Sequence, residues 1–226
     1  STETHEYTGS GNLVVEQVDS SVEQINAEEA TGNLDINLDE VTADEVTINS
    51  GEGNDTYSVN NDFDVNASLS DGEDTISFGS NLGTSDTVNG GDDEDEVQFT
   101  TPGNTIRPTL EEVEKLTILA NGTETTFSGS NSPELNNYTV QADAANINNI
   151  DLVQLQNDEG TLTLDSNGNA VNNGEVLYTA SGALNLDVVD NSDSSETWGA
   201  AVTLNNIDEE LLLSAETDFN PGEFNA

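Results

Sequence analysis

Short bursts of apolar residues at alternate positions run along this chain, and each is entered from a polar turn. Tyr57 and Val59, Ile76 and Phe78, and Val97 and Phe99 are three such pairs. A period of two predicts a strand with one buried face. The turns ahead of them share a pattern: SGEGNDTYSV from Ser50, LSDGEDTISF from Leu69 and GGDDEDEVQF from Gly90. Aligned on the acid, Asp55, Asp74 and Asp95 coincide. The interval is roughly 20 residues, in the range of repeats that stack coil upon coil. An earlier coil is visible where Gly32 stands for Gly53, and Leu34, Ile36 and Leu38 stand for Asp55, Tyr57 and Val59. On the return side, Ile25, Val46 and Val65 form one predicted row, which Asp86 interrupts. Ala27, Ile48, Ala67 and Val88 form a second. Two strands per coil predict an all-β fold, a parallel β-roll or β-solenoid.

Punctuation at Thr101-Pro102-Gly103 and Arg107-Pro108 predicts a boundary. The expected domains are a β-roll over residues 1–102 and a second β-rich domain over 103–226, either a sandwich or a continued solenoid. Beyond the boundary a different pattern recurs, as LEEVEKLTI from Leu110, INNIDLVQL from Ile147 and LNNIDEELLL from Leu204. It predicts a turn of loop or helix feeding a buried strand, with Thr109 and Glu112 placed as a capping box; ordinary sandwich strands fit equally well. Thr161 to Thr179 predicts a hairpin. Its tip, Asp165-x-Asn167-x-Asn169, is similar to the start of an EF-hand loop, but Ala170 and Val176 stand where that loop needs Gly and Glu. A polar turn is the better reading, and the acidic stretch from Asn191 to Glu196 carries little by itself.

Charge changes the picture. The net charge is −44, from 46 acids against Arg107 and Lys115. Self-repulsion of that size opposes a compact state unless counter-ions are held, and it excludes nucleic acid and anionic membranes as expected partners. High charge also marks disordered chains, but here apolar residues are 32% and fall in strand patterns. There is no Cys, so neither a disulfide nor a thiol site exists, and the staple expected in their place is a metal. No apolar run approaches the ~18 residues of a membrane span. The chain opens on Ser1 with no visible signal peptide, which reads as a processed chain or a segment of something longer. The single histidine, His5, lies near a terminus, and no nucleophile–base pair or phosphate loop is visible, so no catalysis is expected. Sequons at Asn54, Asn66, Asn121 and Asn137 leave glycosylation open.

If the three Gly–acid turns stack on one edge, their carboxylates form a ladder with rungs about 4.8 Å apart. Such a ladder repels itself unless cations sit between the rungs. Gly51, Gly53, Gly72, Gly90 and Gly91 allow positive φ and can aim carbonyls at a cation. Asp71 and Asp93 lie in the same turns and complete the candidate set with Asp55, Asp74 and Asp95. Carboxylate and carbonyl oxygens are hard ligands, which predicts calcium. Three acidic rungs predict two inter-turn sites, both bordered by Asp74.

These turns resemble the nonapeptide GGxGxDxUx of repeats-in-toxin proteins, calcium-loaded parallel β-rolls. The first copy has Gly51, Gly53, Asp55 and Tyr57 in place. The second keeps Gly72, Asp74 and Ile76, with Leu69 and Ser70 for the glycine pair. The third keeps Gly90, Gly91, Asp95 and Val97, with Asp93 where Gly is expected. Here the repeats occupy one edge only, whereas the family carries them on both. VEQINAEEATGNLDINL from Val22 is similar to strand–turn–strand units in surface-layer proteins of Gram-negative bacteria. The resemblance implies a secreted, extracellular, calcium-dependent structural protein of the cell surface. It would self-associate into a lattice or filament, with cell-surface polysaccharide as a further partner. Two other readings are a calcium-rigidified repeat module of a large adhesin and an acidic halophile protein without specific metal sites.

Overall fold

In the computed structural model, the residues described are 3–143, 146–156, 159–167, 171, 173–180, 182–189, 198, 200–205, 207, 211–215 and 224–225. Among them there is no helix, and every strand pairing is parallel. The fold is a parallel β-solenoid, as the alternation predicts.

The chain divides into two compact units, residues 1–99 with 108–114, and 100–107 with 115–226. The first holds β1 (Glu3–Gly9), β2 (Leu13–Val15), β3 (Val22–Ala30), β4 (Leu34–Asn37), β5 (Glu45–Asn49), β6 (Thr56–Ser58), β7 (Asp64–Ser68), β8 (Thr75–Ser77), β9 (Thr87–Asn89) and β10 (Glu96–Thr100). The second opens with β11 (Thr105–Ile106), and β12 (Thr109–Glu111) belongs to the first. In the first unit, β1, β3, β5, β7, β9 and β12 lie side by side in that order, as do β2, β4, β6, β8 and β10. Each coil gives one strand to each sheet, and the two inner faces form the core. Ile36, Tyr57, Ile76 and Val97 line up across β4, β6, β8 and β10 and are all fully buried. Burying a large apolar side chain contributes about 1.5–3 kcal/mol, so these rows hold the coils in register.

The return row differs from expectation. Ile25 pairs with Ile48, not Val46, while Val46 pairs with Val65. The coil between β3 and β5 is longer than the next two, and the alignment slips by two residues. A slip of two preserves the buried face. LEEVEKLTI does not open on a helical turn either: Thr109–Glu111 is β12, paired with β9. Glu112 turns the chain at φ 51°.

The second unit continues with β13 (Lys115–Ala120), β14 (Thr125–Ser128), β15 (Asn137–Ala142), β16 (Asn146–Val153), β17 (Glu159–Asp165), β18 (Asn173–Thr179), β19 (Ala183–Val189), β20 (Ala201–Asn205), β21 (Leu211–Ala215) and β22 (Phe224–Asn225). It stacks β13, β15, β17, β19 and β21 in one sheet and β11, β14, β16, β18, β20 and β22 in another. The predicted hairpin is therefore absent, since β17 and β18 lie in different sheets and each pairs in parallel with the coils before and after it. Asn169 and Ala170 of its tip, and Asn191 to Glu196, lie outside the described residues.

Candidate functional site

The structure brings Asp55, Asp74 and Asp95 into one ladder inside the corner of the coils, at 1%, 1% and 0% exposure. In each copy the turn ahead of the acid reverses at its fourth residue, with φ 117° at Gly53, 125° at Gly72 and 81° at Asp93. Asp93 thus adopts a conformation that costs an L-residue roughly 1–2 kcal/mol. Corner backbones also touch from coil to coil: a Cβ on Gly72 would overlap Gly53 O, and one on Gly91 would overlap Ser70 O. Glycine here permits the stacking.

Strand pairing resumes one residue after each acid, with Thr56 opposite Thr75 and Thr75 opposite Glu96. The N–H of the acid itself needs another acceptor. It finds the carboxylate of the next coil: Asp55 N–H donates to Asp74 Oδ1 at 2.7 Å and Asp74 N–H to Asp95 Oδ1 at 2.9 Å. Leu34, at the apolar rung, donates its N–H to Asp55 Oδ1 at 2.8 Å. At the other end, Asp95 N–H donates to Glu114 Oε2 at 2.9 Å. Glu114 is therefore a fourth rung, absent from the predicted set. The signal was present, because Leu116 and Ile118 follow Glu114 as Val97 and Phe99 follow Asp95.

The second carboxylate oxygens divide the rungs. Asp55 Oδ2 accepts from the Ser50 hydroxyl, which also contacts the Tyr57 hydroxyl at 2.7 Å. Asp74 Oδ2 and Asp95 Oδ2 are buried without a hydrogen-bond partner. The cause lies in the sequence: Leu69 and Gly90 occupy the position of Ser50 in their copies, and neither side chain can donate. A Cβ on Gly90 would overlap both Asp95 Oδ2 and Glu112 O, so two acceptor oxygens crowd one point.

Burial raises all three carboxyl pKa values. Desolvation, with repulsion from Asp55 and Asp95, lifts Asp74 to about 8 against the pull of its hydrogen bond from Asp55 N–H. Desolvation, with repulsion from Glu114, Asp93 and Glu112, lifts Asp95 to about 7. Asp55 is raised by desolvation, opposed by the hydrogen bonds from Ser50 and the backbone.

The other predicted ligands stand apart from the ladder. Asp71 and Asp93 are exposed, and Asp71 forms bridges with Glu52 and Asp92 along the outer turn. Several turn carbonyls are engaged between coils. Asp71 O accepts Gly53 N–H at 3.1 Å, Ser70 O accepts Asp92 N–H at 2.9 Å, and Asp92 O accepts Gly72 N–H at 3.3 Å. Gly51 packs on Ala27 O and Ala30 O. Among the described residues, no group of three or more acids or histidines is placed to hold a metal. The fit to calcium is thus partial. Asp74 Oδ2 and Asp95 Oδ2 each present a hard, unpartnered oxygen, and the exposed acids of the turn lie outside that arrangement.

One further ladder and one buried acid escaped the sequence patterns. Asn33 N–H donates to Asn12 Oδ1 at 3.1 Å and Asn54 N–H to Asn33 Oδ1 at 3.3 Å, beside the carboxylate ladder. On the return side Asp86, read from sequence as an interruption, is 3% exposed. It accepts Val65 N–H at 2.9 Å and Gly83 N–H at 2.7 Å, so both its oxygens are used.

No protein family matches this chain, and neither does any curated protein or solved structure.

Proposed function

We propose that the chain is an extracellular structural module whose first unit is stiffened by calcium, as part of a self-associating cell-surface assembly of the surface-layer type. The observation that carries the reading is the pair of buried, unpartnered oxygens Asp74 Oδ2 and Asp95 Oδ2 in a chain of net charge −44. A buried carboxylate must be paired or neutralised. Bound calcium would supply positive charge to these two oxygens, and hard oxygen donors favour it over softer metals. The chain itself contributes the frame: the N–H of each coil holds one oxygen of the next acid and leaves the other to the ligand. The likeness of the turns to repeats-in-toxin nonapeptides supports the same reading.

Extracellular calcium modules bind at about 10⁻⁴ to 10⁻³ M, and 100-fold excess over that constant adds about 2.7 kcal/mol per site. Thermal unfolding in chelator and in millimolar calcium tests the proposal. A melting point raised by calcium and not by equivalent magnesium or sodium is expected; identical curves would remove it. A second reading has its own support in the raised pKa values of Asp74 and Asp95, since protons can neutralise the ladder without metal. In that case acid, and not calcium, would restore stability in chelator.

A further inference from the structure

Acids crowd the corners of the first unit, yet the outer face of one of its sheets carries a strip without charge. Ile25, Ile48, Ala67 and Val88 form a buried row there, and on either side of it a row of side chains points outward. In the first outward row, Gln24, Thr47, Asn66, Thr87 and Thr109 stand opposite one another in turn across β3, β5, β7, β9 and β12. In the second, Asn26, Asn49, Ser68 and Asn89 do the same, and the row ends at Glu111. Asn66 and Ser68 are exposed and the others half-buried. Ahead of Glu111 every member is an uncharged amide or hydroxyl, in a chain of which 21% is charged. Acids return at the margins, with Glu45 opposite Asp64 beside the first row and exposed Glu28 and Glu29 beyond Asn26.

The dimensions and chemistry of the strip narrow what could lie on it. Strands about 4.8 Å apart and alternate residues about 7 Å apart give a strip about 19 Å long and about 7 Å wide. A stable protein–protein contact takes about 800 Å² from each partner, several times what this strip offers. An extended peptide joins a sheet through its edge, and this is a face. Nucleic acid and other polyanions are repelled by the acids at the margins. A single extended chain fits, uncharged and bearing groups that both donate and accept hydrogen bonds, as the side chains of Asn, Gln, Ser and Thr themselves do. Among the described residues, Thr47, Asn49, Asn66, Ser68, Thr87 and Asn89 make no side-chain hydrogen bond within the protein, so their polar groups are free for a ligand. Beside Thr47 opens a hollow of about 360 Å³, lined also by Glu23, Ala43, Asp44 and Glu45, within the size range of small-ligand sites. Its carboxylates can accept hydrogen bonds from hydroxyls.

From this strip we infer that the first unit binds a neutral polysaccharide, laid across the strands from β3 to β12. The amides and hydroxyls of the two rows would meet its hydroxyls at every coil, and the hollow beside Thr47 would receive a sugar ring. The stack holds these groups in register before binding, which lowers the cost of ordering them. No aromatic ring stands in the strip to stack on a sugar, so affinity comes from many contacts in series and rises with the length of the glycan. The acids at the margins turn away anionic glycans, most strongly at low salt. The cell-surface setting of such a partner rests on the function proposed above; the contact itself does not depend on calcium bound at the ladder.

Affinity electrophoresis tests this, with the 226-residue chain run in millimolar calcium through native gels that contain a soluble polymer. The neutral probes are dextran, laminarin, galactomannan and hydroxyethylcellulose, and the anionic one is carboxymethylcellulose. Retardation by at least one neutral polymer and not by the anionic one is expected, with short oligosaccharides of the same linkage competing poorly at equal mass. Asn66→Asp puts a charge on the strip, and Thr87→Val removes a hydroxyl at constant size; both side chains face outward, and circular dichroism would confirm each fold. Each should weaken retardation several-fold, whereas Glu16→Gln, an exposed acid off the strip, should leave it unchanged. A folded wild type retarded by none of the four neutral polymers would overturn the inference. So would equal retardation by carboxymethylcellulose, or retardation unaltered in both strip variants. Melting curves in chelator and in calcium report the ladder separately. A calcium-stabilised chain that is not retarded sinks the glycan site alone, and a retarded chain indifferent to calcium supports the site and removes the calcium reading.

Discussion

The two units solve the same stacking problem with different chemistry. In the first, several strands are only three residues long, β6, β8 and β9 among them, and the corners rather than the strands carry much of the inter-coil bonding. Those corners place carboxylates inside, where Asp55, Asp74, Asp86 and Asp95 are at most 3% exposed. In the second, strands such as β16, β17, β18 and β19 run to seven or eight residues. The register comes from long apolar rows, Tyr138 against Leu162 and Leu162 against Leu186, and Tyr138 meets Tyr178 edge to face at 5.7 Å. Its one buried acid among the described residues, Asp165, has local donors in Gln141 Nε2 at 3.0 Å and Asn167 N–H at 2.8 Å. A parallel coil therefore does not need a carboxylate ladder. Where one is present, with two oxygens left over, stability becomes conditional on what neutralises them.

The largest expected effect is a split between the units when calcium is removed. Hydrogen exchange in chelator should accelerate by orders of magnitude in β6, β8 and β10, while β15, β17 and β19 keep their protection. Equal loss of protection in both units would break the comparison.

The next effect is the dependence on pH in chelator. Asp74 titrates at about 8 and Asp95 at about 7 in the folded chain, against about 3.9 for an unfolded Asp. Between those values the folded state holds more protons than the unfolded one. Stability from these groups is full below about pH 4 and is lost as pH rises through 7 and then 8. Urea midpoints measured across that window should fall with pH in chelator and flatten in calcium. A midpoint rising with pH in chelator would contradict the burial of these carboxyls.

A smaller effect isolates the rung that is already satisfied. Ser50→Ala removes the donor to Asp55 Oδ2 and the contact to the Tyr57 hydroxyl. It should cost about 1–3 kcal/mol, the usual penalty for orphaning a buried polar group. The loss should shrink at acid pH, where Asp55 can be protonated. A loss independent of pH would mean that Ser50 acts through packing.

How much of this was legible in the sequence depends on the kind of interaction. Alternation at Tyr57, Ile76 and Val97 gave strands, stacking and register, because one buried face imposes a strict period of two. The acid positions were legible as a row for the same reason. Their partners were not. That Asp74 would accept Asp55 N–H, or that Leu69 would leave Asp74 Oδ2 unpaired, depends on which way a carboxylate points in a corner, and spacing says nothing of that. Glu114 was hidden because the other three rungs are Asp, although its longer side chain accepts the equivalent amide one coil along, that of Asp95. The shift of Ile25 to Ile48 was hidden by unequal coil length.

The most direct test is Asp74→Asn, measured by urea unfolding at about pH 9 in chelator and again in calcium. Asn keeps an oxygen to accept Asp55 N–H and removes the buried charge, whose uncompensated oxygen costs about 1–3 kcal/mol or more. In chelator the variant should therefore be more stable than wild type. In calcium the order should reverse, because wild type gains a ligand that the variant binds poorly. A reversal of sign is the predicted result. A variant that is less stable by the same amount in both conditions would show that Asp74 is an ordinary hydrogen-bonding corner residue and that nothing but the protein occupies the ladder.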